Sequence, residues 1–534
     1  MEVKRYQLYL LSLLSGALLG FAWFPHGFLP LIFIAFIPLL VVEDVVCRDP
    51  KFRSGIVFLC SFLAFLLWNL ITTWWLKNAS IGGAVMAIGL NSLIMAIFFY
   101  AAHTVKRRIG KWGNLILVFS WIAFEFIHLN WSLSWSWLTL GNVFADTPGI
   151  IQWYEYTGVL GGSLWILLVN FILFDIYKKR SETKSKLIRK ATIFIIVLAF
   201  PFVWSVLVLA NPAQCKEIPL RTVIVQPNVD PYNEKFFLGY EEQLVKMLKL
   251  AETKVDSTTD YVVFPETALT EDIWEERMNE SRSIAILNAF IAKYPRLNVV
   301  IGASTLKAYR MDEEISESAR KFTQQEGYYD VYNTAFQLDS TKKVQVYHKS
   351  RLVQGVETMP LQFIFKYFES LAMDMGGTVG SLGTQKERSL LYSSDSLVKV
   401  APVICYESIF GEFVTDYVKK GANLITIITN DGWWGDTPGY MQHLRLGRLR
   451  AIENRRWIIR SANTGVSCFI SPEGEILDAA GYWTPVAIEG IVSMNHKMTF
   501  YTRCGDYIGR IALYTALILL IYSWLIRFRL VKKS

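Results

Sequence analysis

Three side chains in this sequence have the types that thiol chemistry requires, and each directly follows an apolar, β-branched run. Glu266 follows DYVVFP, Lys349 follows VQVYH and Cys405 follows VKVAPVI. A thiol has a pKa of about 8.5, so at neutral pH it attacks a carbonyl only after a base takes its proton or a cation stabilises the thiolate. The residue types therefore predict acyl transfer, with Cys405 as nucleophile, Glu266 as general base and Lys349 stabilising the oxyanion.

Each of these residues has a simpler explanation when it is considered alone. A single cysteine on an apolar strand is most often an inert buried thiol, and a charged residue after a strand is most often solvated. The ordered set of Glu, Lys and Cys, each at the end of a strand in one domain, favours a catalytic site. The sharp Cys405-Tyr406-Glu407 turn also favours a nucleophile that is lifted out of the sheet.

The segment that must position these residues extends from about residue 219 to residue 500. RTVIVQPN is a strand pattern, FLGYEEQLVKMLKLAETKV is a helical pattern, and DYVVFPETALT is a strand pattern again. This alternation predicts an α/β or α+β domain with a sandwiched sheet.

The chain as a whole is too apolar for an ordinary soluble protein. Of its 534 residues, 52% are hydrophobic, 14% are aromatic and only 19% are charged. Eight apolar runs are long enough to cross about 30 Å of hydrocarbon as helices. They are residues 8–24, 31–46, 55–76, 83–103, 114–130, 161–177, 191–209 and 506–526.

Lysine and arginine fall in alternate gaps between these runs, as in Lys106-Arg107-Arg108 after the fourth run. Because cytoplasmic loops are enriched in these residues, both termini are predicted to be cytoplasmic and the large domain to lie outside. We expect the first run to be a retained helix, since no small-residue cleavage site follows it. The net charge of +8 is explained by these flanking residues, and we exclude a nucleic-acid partner. The Trp-rich gap at 131–160 is predicted to be an interfacial segment.

The segments FPET, YHKSRLV and ICYES, in that order, resemble the Glu-Lys-Cys triad of the nitrilase superfamily. Joined to eight membrane spans, they resemble the family of bacterial apolipoprotein N-acyltransferases, as do VQPN, TNDGWW, and the segments similar to RAxExxR and ANTG. The resemblance implies a membrane α-helical bundle plus an extracytoplasmic αββα sandwich. The implied domains are seven membrane helices in 1–212, the catalytic domain in 213–503, and an eighth helix with a cytoplasmic tail in 504–534.

The resemblance also implies a function at the bacterial inner membrane, with the catalytic domain in the periplasm. A phospholipid, typically phosphatidylethanolamine, would give its sn-1 acyl chain to Cys405 as a thioester. The acyl group would then pass to the α-amino group of the S-diacylglyceryl cysteine of a diacylated apolipoprotein, the last step of lipoprotein maturation. No cofactor and no metal are implied.

Further residues match positions of the family. Glu357 corresponds to its second active-site glutamate, Glu407 is expected to support the turn at Cys405, and a backbone N–H near Tyr406 is expected to help Lys349 hold the oxyanion. The chain has Gln354-Gly355-Val356 where many members read Pro-Phe-Gly, and a Trp common in the family is replaced near Lys235 or residue 236. Four aromatic residues are candidates for lipid binding, with packing on the domain core as the alternative: Trp433, Trp434, Phe363 and Phe365.

Six cysteines show neither CxxC spacing nor a dense framework, so neither a metal site nor a disulfide scaffold is indicated. A bridge between Cys215 and Cys504 is one option, and two free thiols are the other. Two alternative functions stay open at this point. One is a membrane-anchored amidase or hydrolase of the nitrilase type, and the other is a lipid-binding or assembly protein with an inactive triad.

Overall fold

The computed structural model describes residues 3–110, 113–210, 218–235, 237–358 and 381–531. The chain divides into two compact units, one formed by Met1–Pro212 with Cys504–Ser534 and the other by Ala213–Arg503.

The first unit is a bundle of long apolar helices. Within a bilayer the backbone finds no water partners, so a spanning segment must satisfy its hydrogen bonds internally as a helix. Among the described residues, seven helices are long and apolar enough to cross a membrane. The second of these spans is counted from Leu29 to Arg48 and so includes the 3₁₀ turn before α2, and the first helix, with 17 residues, is one residue shorter than the shortest of the seven. The helices of this unit are α1 Arg5–Phe21, α2 Ile37–Arg48, α3 Gly55–Thr73, α4 Ile81–Ile109, α5 Gly113–Asn130, α6 Tyr154–Lys178, α7 Lys184–Ala210 and α13 Tyr507–Val531.

Close helix packing in this unit depends on small residues. A Cβ at Gly16 of α1 would lie 2.3 Å from the carbonyl oxygen of Ala64 on α3, so only glycine allows the two backbones to approach this closely. Asn170 of α6 donates to the carbonyl of Ile32 and accepts from the amide of Phe36, at 2.9 Å each. Buried polar groups thus join helices that are far apart in the sequence.

The Trp-rich segment between α5 and α6 forms short 3₁₀ turns, Ser136–Leu138, Leu140–Asp146 and Pro148–Ile150. Trp137 and Trp153 are only 1% and 8% exposed, so they pack inside their own unit. Trp131 and Trp135 are partly exposed. The position of this segment at the membrane interface stays a prediction.

The second unit contains two β-sheets. The larger has the strand order β14-β1-β2-β4-β6-β5, with β3 paired to β4 and β7 paired to β6, and the smaller has the order β13-β12-β11-β10-β9-β8. The strands are β1 Ile218–Gln226, β2 Tyr261–Val263, β3 Leu269–Trp274, β4 Asn298–Ala308, β5 Arg320–Lys321, β6 Tyr328–Leu338, β7 Gln345–His348, β8 Leu391–Tyr392, β9 Lys399–Ile404, β10 Leu424–Thr429, β11 Ile458–Ala462, β12 Cys468–Ile470, β13 Ile476–Leu477 and β14 Val486–Met494.

The sheets face one another and carry helices on their outer faces, as the αββα prediction requires. Ser461 of β11 donates a 3.0 Å hydrogen bond to the carbonyl of Val225 on β1, which joins the two sheets. Leu244 and Leu287 pack in one buried cluster with the larger sheet. The helices of this unit are α8 Tyr240–Glu252, α9 Arg282–Ile291, α10 Gly411–Lys419, α11 Pro438–Asn454 and the short α12 Phe500–Cys504.

The central strands explain the apolar runs in the sequence. β9, β10 and β11 are parallel to one another, and nearly every residue in them is buried. Strands covered on both faces carry continuous Val and Ile runs instead of alternating patterns. The polar residues Thr426 and Arg460 lie buried within these strands, and Cys405 directly follows the end of β9.

Candidate active site

Each of the three residues predicted for the site comes shortly after the end of a strand. Glu266 follows β2, Lys349 directly follows β7 and Cys405 directly follows β9. Glu266 and Lys349 are only 7% and 1% exposed. Charged side chains are seldom buried to this extent without a partner, so their contacts define the site.

Lys349 lies between two carboxylates. Its Nζ is 3.0 Å from Oε1 of Glu266 and 2.9 Å from Oε1 of Glu357. Asn333 of β6 bridges the same two oxygens, since its Nδ2 donates to Glu266 at 2.7 Å and to Glu357 at 3.0 Å. One ammonium and one neutral amide thus both donate to the two buried carboxyl groups, so that neither carboxyl group is left without partners.

Cys405 occupies a strained turn. Its φ of 50° lies in the left-handed region, which costs a non-glycine residue about 1–3 kcal/mol. The 3₁₀ turn Cys405–Ile409 begins at this residue. The sharp turn expected at Cys405-Tyr406-Glu407 is therefore present, with Cys405 as its first residue.

Burial and the charges around Cys405 determine whether its thiol is protonated before the reaction. Burial raises the pKa of the thiol well above its usual range, and the negative charge of Glu266 raises it further, while Lys349 acts in the opposite direction. Burial lowers the pKa of Lys349, but Glu266 and Glu357 outweigh this and hold it well above its usual value. The thiol is therefore protonated at rest and the lysine is charged. A base must take the proton during the reaction, and the cation alone does not produce a standing thiolate.

Glu407 braces the turn at the nucleophile. Its Oε2 accepts from the amide of Ile404 at 2.8 Å, and its Oε1 accepts from the amide of Ser350 and the hydroxyl of Tyr347, both at 2.7 Å. Ile404 precedes the cysteine and Ser350 follows the lysine. One buried carboxylate thus fixes the distance between the two chain segments that carry Cys405 and Lys349.

The side chain of Tyr406 packs beside the turn. Its side chain is 5% exposed and packs edge to face against Phe410, with ring centroids 5.2 Å apart. This contact stabilises the turn through packing.

Two polar residues at the site had no role in the sequence interpretation. Asn333 bridges the carboxylates, and the backbone amide of Asn430 donates to Oε2 of Glu266 at 3.1 Å. Asn430 lies in the TNDGWW segment, which resembles a segment of the family, so this motif could have indicated it. Asn333 lies inside a strand with no distinctive neighbours, and only strand pairing brings it to the site.

The chain was compared with known protein families and with individual relatives. The model of the carbon-nitrogen hydrolase family matches residues 224–494, and that of the apolipoprotein N-acyltransferase N-terminal domain matches residues 15–172. The apolipoprotein N-acyltransferase of Chlorobaculum tepidum is 30% identical over 518 residues, which cover 95% of this chain and 94% of that protein.

The chain belongs to the apolipoprotein N-acyltransferase family. The apolipoprotein N-acyltransferase of Geobacter metallireducens is 26% identical over 519 residues, covering 93% of this chain and 92% of that protein. The crystal structure of Saccharomyces cerevisiae Nit3, a member of branch 10 of the nitrilase superfamily, has 15% sequence identity and a TM-score of 0.37, covering 54% of this chain and 93% of that chain. Membership of the family, with the apolar helices, makes this chain a multi-pass bacterial membrane protein and an acyltransferase.

The chain departs from the common family pattern just before Glu357, at Gln354-Gly355-Val356. Gly355 has a φ of 80°, and the amide of Val353 donates to Oε2 of Glu357 at 2.8 Å. With Oε1 of Glu357 2.9 Å from Nζ of Lys349, the unusual loop still directs its carboxylate to the lysine. The departure changes the loop and leaves this contact in place.

Lys235, near the position where many members of the family have Trp, lies beside the candidate base. Its ammonium donates to the hydroxyl of Thr267, and the two residues line a cavity with Glu266. Burial lowers the pKa of Lys235 to about 8, although Glu266 acts in the opposite direction. Lys235 thus places a buried, weakly basic amine in the cavity that Glu266 lines.

The aromatic candidates for lipid binding are only partly described. Trp433 and Trp434 are partly exposed. Trp433 packs edge to face against Tyr232, with ring centroids 5.1 Å apart, and Trp434 packs edge to face against His443. Phe363 and Phe365 lie outside the described residues, as does Cys215 of the suggested bridge to Cys504. Among the described residues, no group of three or more His, Cys, Asp or Glu side chains is arranged to hold a metal ion.

Proposed function

We propose that this chain is a phospholipid-dependent N-acyltransferase that moves an acyl chain, through a thioester on Cys405, to the N-terminal cysteine of apolipoproteins. The observation that carries the proposal is the buried Lys349, held between Glu266 and Glu357 and electrostatically coupled to the thiol of Cys405. A nucleophile, a base and a cation that act on one carbonyl are the components of acyl transfer.

In the first half-reaction Glu266 takes the thiol proton as Cys405 attacks the sn-1 ester carbonyl of a phospholipid. The carbon–sulfur bond forms and the ester carbon–oxygen bond breaks. The proton held by Glu266 passes to the departing oxygen, so the lysophospholipid leaves as an alcohol. Because the pKa of the thiol is raised, proton transfer and attack must be closely coupled in time.

In the second half-reaction the α-amino group of the S-diacylglyceryl cysteine attacks the thioester. Glu266 removes the proton from this nitrogen, the carbon–nitrogen bond forms, and the carbon–sulfur bond breaks. The proton returns to the sulfur and restores the thiol. The same base thus serves in both half-reactions, and the covalent acyl-enzyme between them gives ping-pong kinetics.

Lys349 holds the oxyanion in both steps. An ammonium has three N–H donors, and two of them contact Glu266 and Glu357 at 3.0 and 2.9 Å. We assign the third to the carbonyl oxygen of the substrate, with the backbone N–H of Tyr406 as a second donor. Glu357 and Asn333 keep the ammonium in place while the charge on Glu266 changes.

The domain assignment and the orientation belong to the same proposal. Residues 1–212 and 504–534 form the membrane part, and residues 213–503 form an extracytoplasmic catalytic domain. Lysine and arginine in alternate gaps support cytoplasmic termini at the inner membrane, with the domain in the periplasm. Fusing alkaline phosphatase or green fluorescent protein to the C-terminus tests this orientation. Only the fluorescent fusion should be active, and an active phosphatase would reverse the assignment.

The acyl-enzyme is tested by mass spectrometry of the purified full-length protein after incubation with phosphatidylethanolamine. We expect a mass increase of one acyl chain on the Cys405 peptide, removable by hydroxylamine, and no increase in Cys405→Ala. Cys504→Ser, which changes an exposed cysteine, is the matched control and should be acylated like the parent protein. A label at another residue, or none, would refute the thioester mechanism.

Product analysis separates the transferase from the hydrolase. With a diacylglyceryl-cysteinyl peptide present, the transferase converts the acyl-enzyme to an N-acylated peptide. A membrane-anchored amidase would release free fatty acid or ammonia with no N-acylated product. Donors with other headgroups, compared in the same assay, test the assignment of phosphatidylethanolamine.

A further inference from the structure

A second buried cluster of charged residues contacts the backbone of the nucleophile, Cys405. Asp431 begins the 3₁₀ turn Asp431–Trp434 after β10, His443 lies on α11 and Arg460 lies on β11. All three side chains are at most 1% exposed. The triad of Glu266, Lys349 and Cys405 does not include any of them.

Asp431 is ionised and faces one nitrogen of the imidazole. Burial would raise the pKa of Asp431, but Arg460 and then His443 outweigh this and hold it well below its usual range. Its Oδ1 lies 2.9 Å from Nδ1 of His443, and its Oδ2 accepts from Nη2 of Arg460 at 2.6 Å. An ionised carboxylate can only accept, so Nδ1 of His443 carries a hydrogen.

The other ring nitrogen faces the nucleophile. Nε2 of His443 lies 3.1 Å from the carbonyl oxygen of Cys405 and 3.0 Å from Oγ of Ser408. The Ser408 hydroxyl donates to that same carbonyl at 2.7 Å. A carbonyl oxygen only accepts, and with the serine hydrogen given to this carbonyl the geometry favours a hydrogen on Nε2 as well. An imidazole with hydrogens on both nitrogens is an imidazolium.

We propose that His443 is a positively charged positioning residue, which holds the carbonyl of Cys405 through Nε2 and places one positive charge behind the nucleophile. The inference rests on the proposed function only in taking Cys405 as the nucleophile. With an imidazolium, Asp431, His443 and Arg460 carry a net charge of +1, and with a neutral imidazole they carry none. The extra charge stabilises the thiolate as it forms.

The same contact explains how the strained turn persists. Cys405 has a φ of 50°, and such strain persists only when surrounding contacts hold the backbone. His443 and Ser408 hold the carbonyl of this residue, while Glu407 holds the amide of the preceding one. Arg460 also lies 3.2 Å from Nδ1 of His443, and Asp431, which contacts both cations, compensates for their repulsion.

The charge is tested directly by nitrogen NMR of the full-length protein in detergent, with ¹⁵N-labelled histidine. The signal of His443 is assigned by its loss in His443→Gln, and the exposed His496 is the internal reference. We expect two protonated ring nitrogens on His443 at pH 7. One protonated nitrogen, with Arg460 donating to a bare Nδ1, would overturn the proposal.

Two variants separate the charge from the hydrogen bond. His443→Ala removes both, whereas His443→Gln keeps an N–H donor near the position of Nε2 without the charge. We expect glutamine to recover most of the melting temperature that alanine loses. Alkylation of Cys405 by iodoacetamide at pH 7.5 should nevertheless stay about tenfold slower than in the parent protein, equivalent to one pKa unit. His496→Gln should react at the parent rate.

A glutamine variant that is alkylated at the parent rate would show that the imidazole only holds the turn, and would overturn the proposal. If His443→Gln does not fold, the signal of His443 is assigned by substituting the other five histidines one at a time, and the NMR measurement on the parent protein still decides. Alkylation needs no lipid. A tenfold difference in alkylation, found together with failure of phospholipid to acylate Cys405, would therefore refute the proposed function and leave the role of His443 intact.

Discussion

The hydroxyl of Tyr347 donates a 2.7 Å hydrogen bond to Oε1 of Glu407. Tyr347 lies on β7, two residues before Lys349, and Glu407 lies two residues after Cys405. β7 belongs to the larger sheet and β9, which leads to the cysteine, belongs to the smaller one. This bond therefore ties the two sheets together next to the site.

Tyr347→Phe should destabilise the catalytic domain. Glu407 is buried and its pKa is raised by burial, although its hydrogen bonds oppose this. Losing a hydrogen bond to a charged, buried acceptor costs about 1.5–3 kcal/mol. We expect a lower melting temperature of the full-length protein and slower acylation of Cys405. Tyr328→Phe, at a tyrosine that is 36% exposed, is the control. Equal melting temperatures for the two variants would contradict the bracing role.

Lys349→Met should be more damaging to stability than most substitutions. It leaves Glu266 and Glu357 buried without their shared cation, and removing one partner of a buried ion pair costs about 3–5 kcal/mol. Acylation of Cys405 should fall below detection. The double variant Lys349→Met/Glu357→Gln should recover part of the melting temperature and none of the acylation. Recovery of acylation in the double variant would show that the lysine is not required for chemistry.

Asn333→Asp tests the bridging amide with almost no change of shape. It replaces a donor that contacts both Glu266 and Glu357 with a third carboxylate, and like charges at this distance raise one another's pKa values. We expect acylation at pH 7.5 to fall at least about tenfold, and the loss to shrink as the pH is lowered and one carboxylate is protonated. A loss of the same size at every pH would mean that repulsion is not its cause.

The raised pKa of Cys405 predicts a specific pH dependence of stability. The unfolded thiol has a pKa of about 8.5. Because the folded value is higher, the thiol contributes stability that is fully present below about pH 8.5 and is lost as the pH rises towards the folded pKa. At pH 10 the loss amounts to about 2 kcal/mol. The melting temperature of the parent protein should thus fall more steeply between pH 8.5 and 10 than that of Cys405→Ala. If the melting temperatures of the two proteins fell equally with pH, the raised pKa of Cys405 would be contradicted.

The sequence alone determined the class of the protein and the identity of its chemical groups. Long apolar helical runs indicate a bilayer, and parallel strands covered on both faces are mainly apolar. Glu266 and Cys405 could therefore be recognised as polar residues after such strands, and Lys349 as a charged residue after the antiparallel strand β7. Glu357 and Glu407 were found through their places in family motifs, since nothing in their immediate surroundings distinguishes them.

The tertiary structure decided which charged groups contact one another and which of them carry a proton. No local sequence pattern encodes either. Asn333 lies in mid-strand, and it reaches two carboxylates because β6 pairs with β4 and β7. His443, Asp431 and Arg460 come from a helix, a turn and a strand, and they meet only when the smaller sheet has formed. Burial, which sequence cannot quantify, keeps the Cys405 thiol protonated at rest. Hydrogen-bond partners and dielectric surroundings depend on long-range packing, and so the working state of the site follows from the fold.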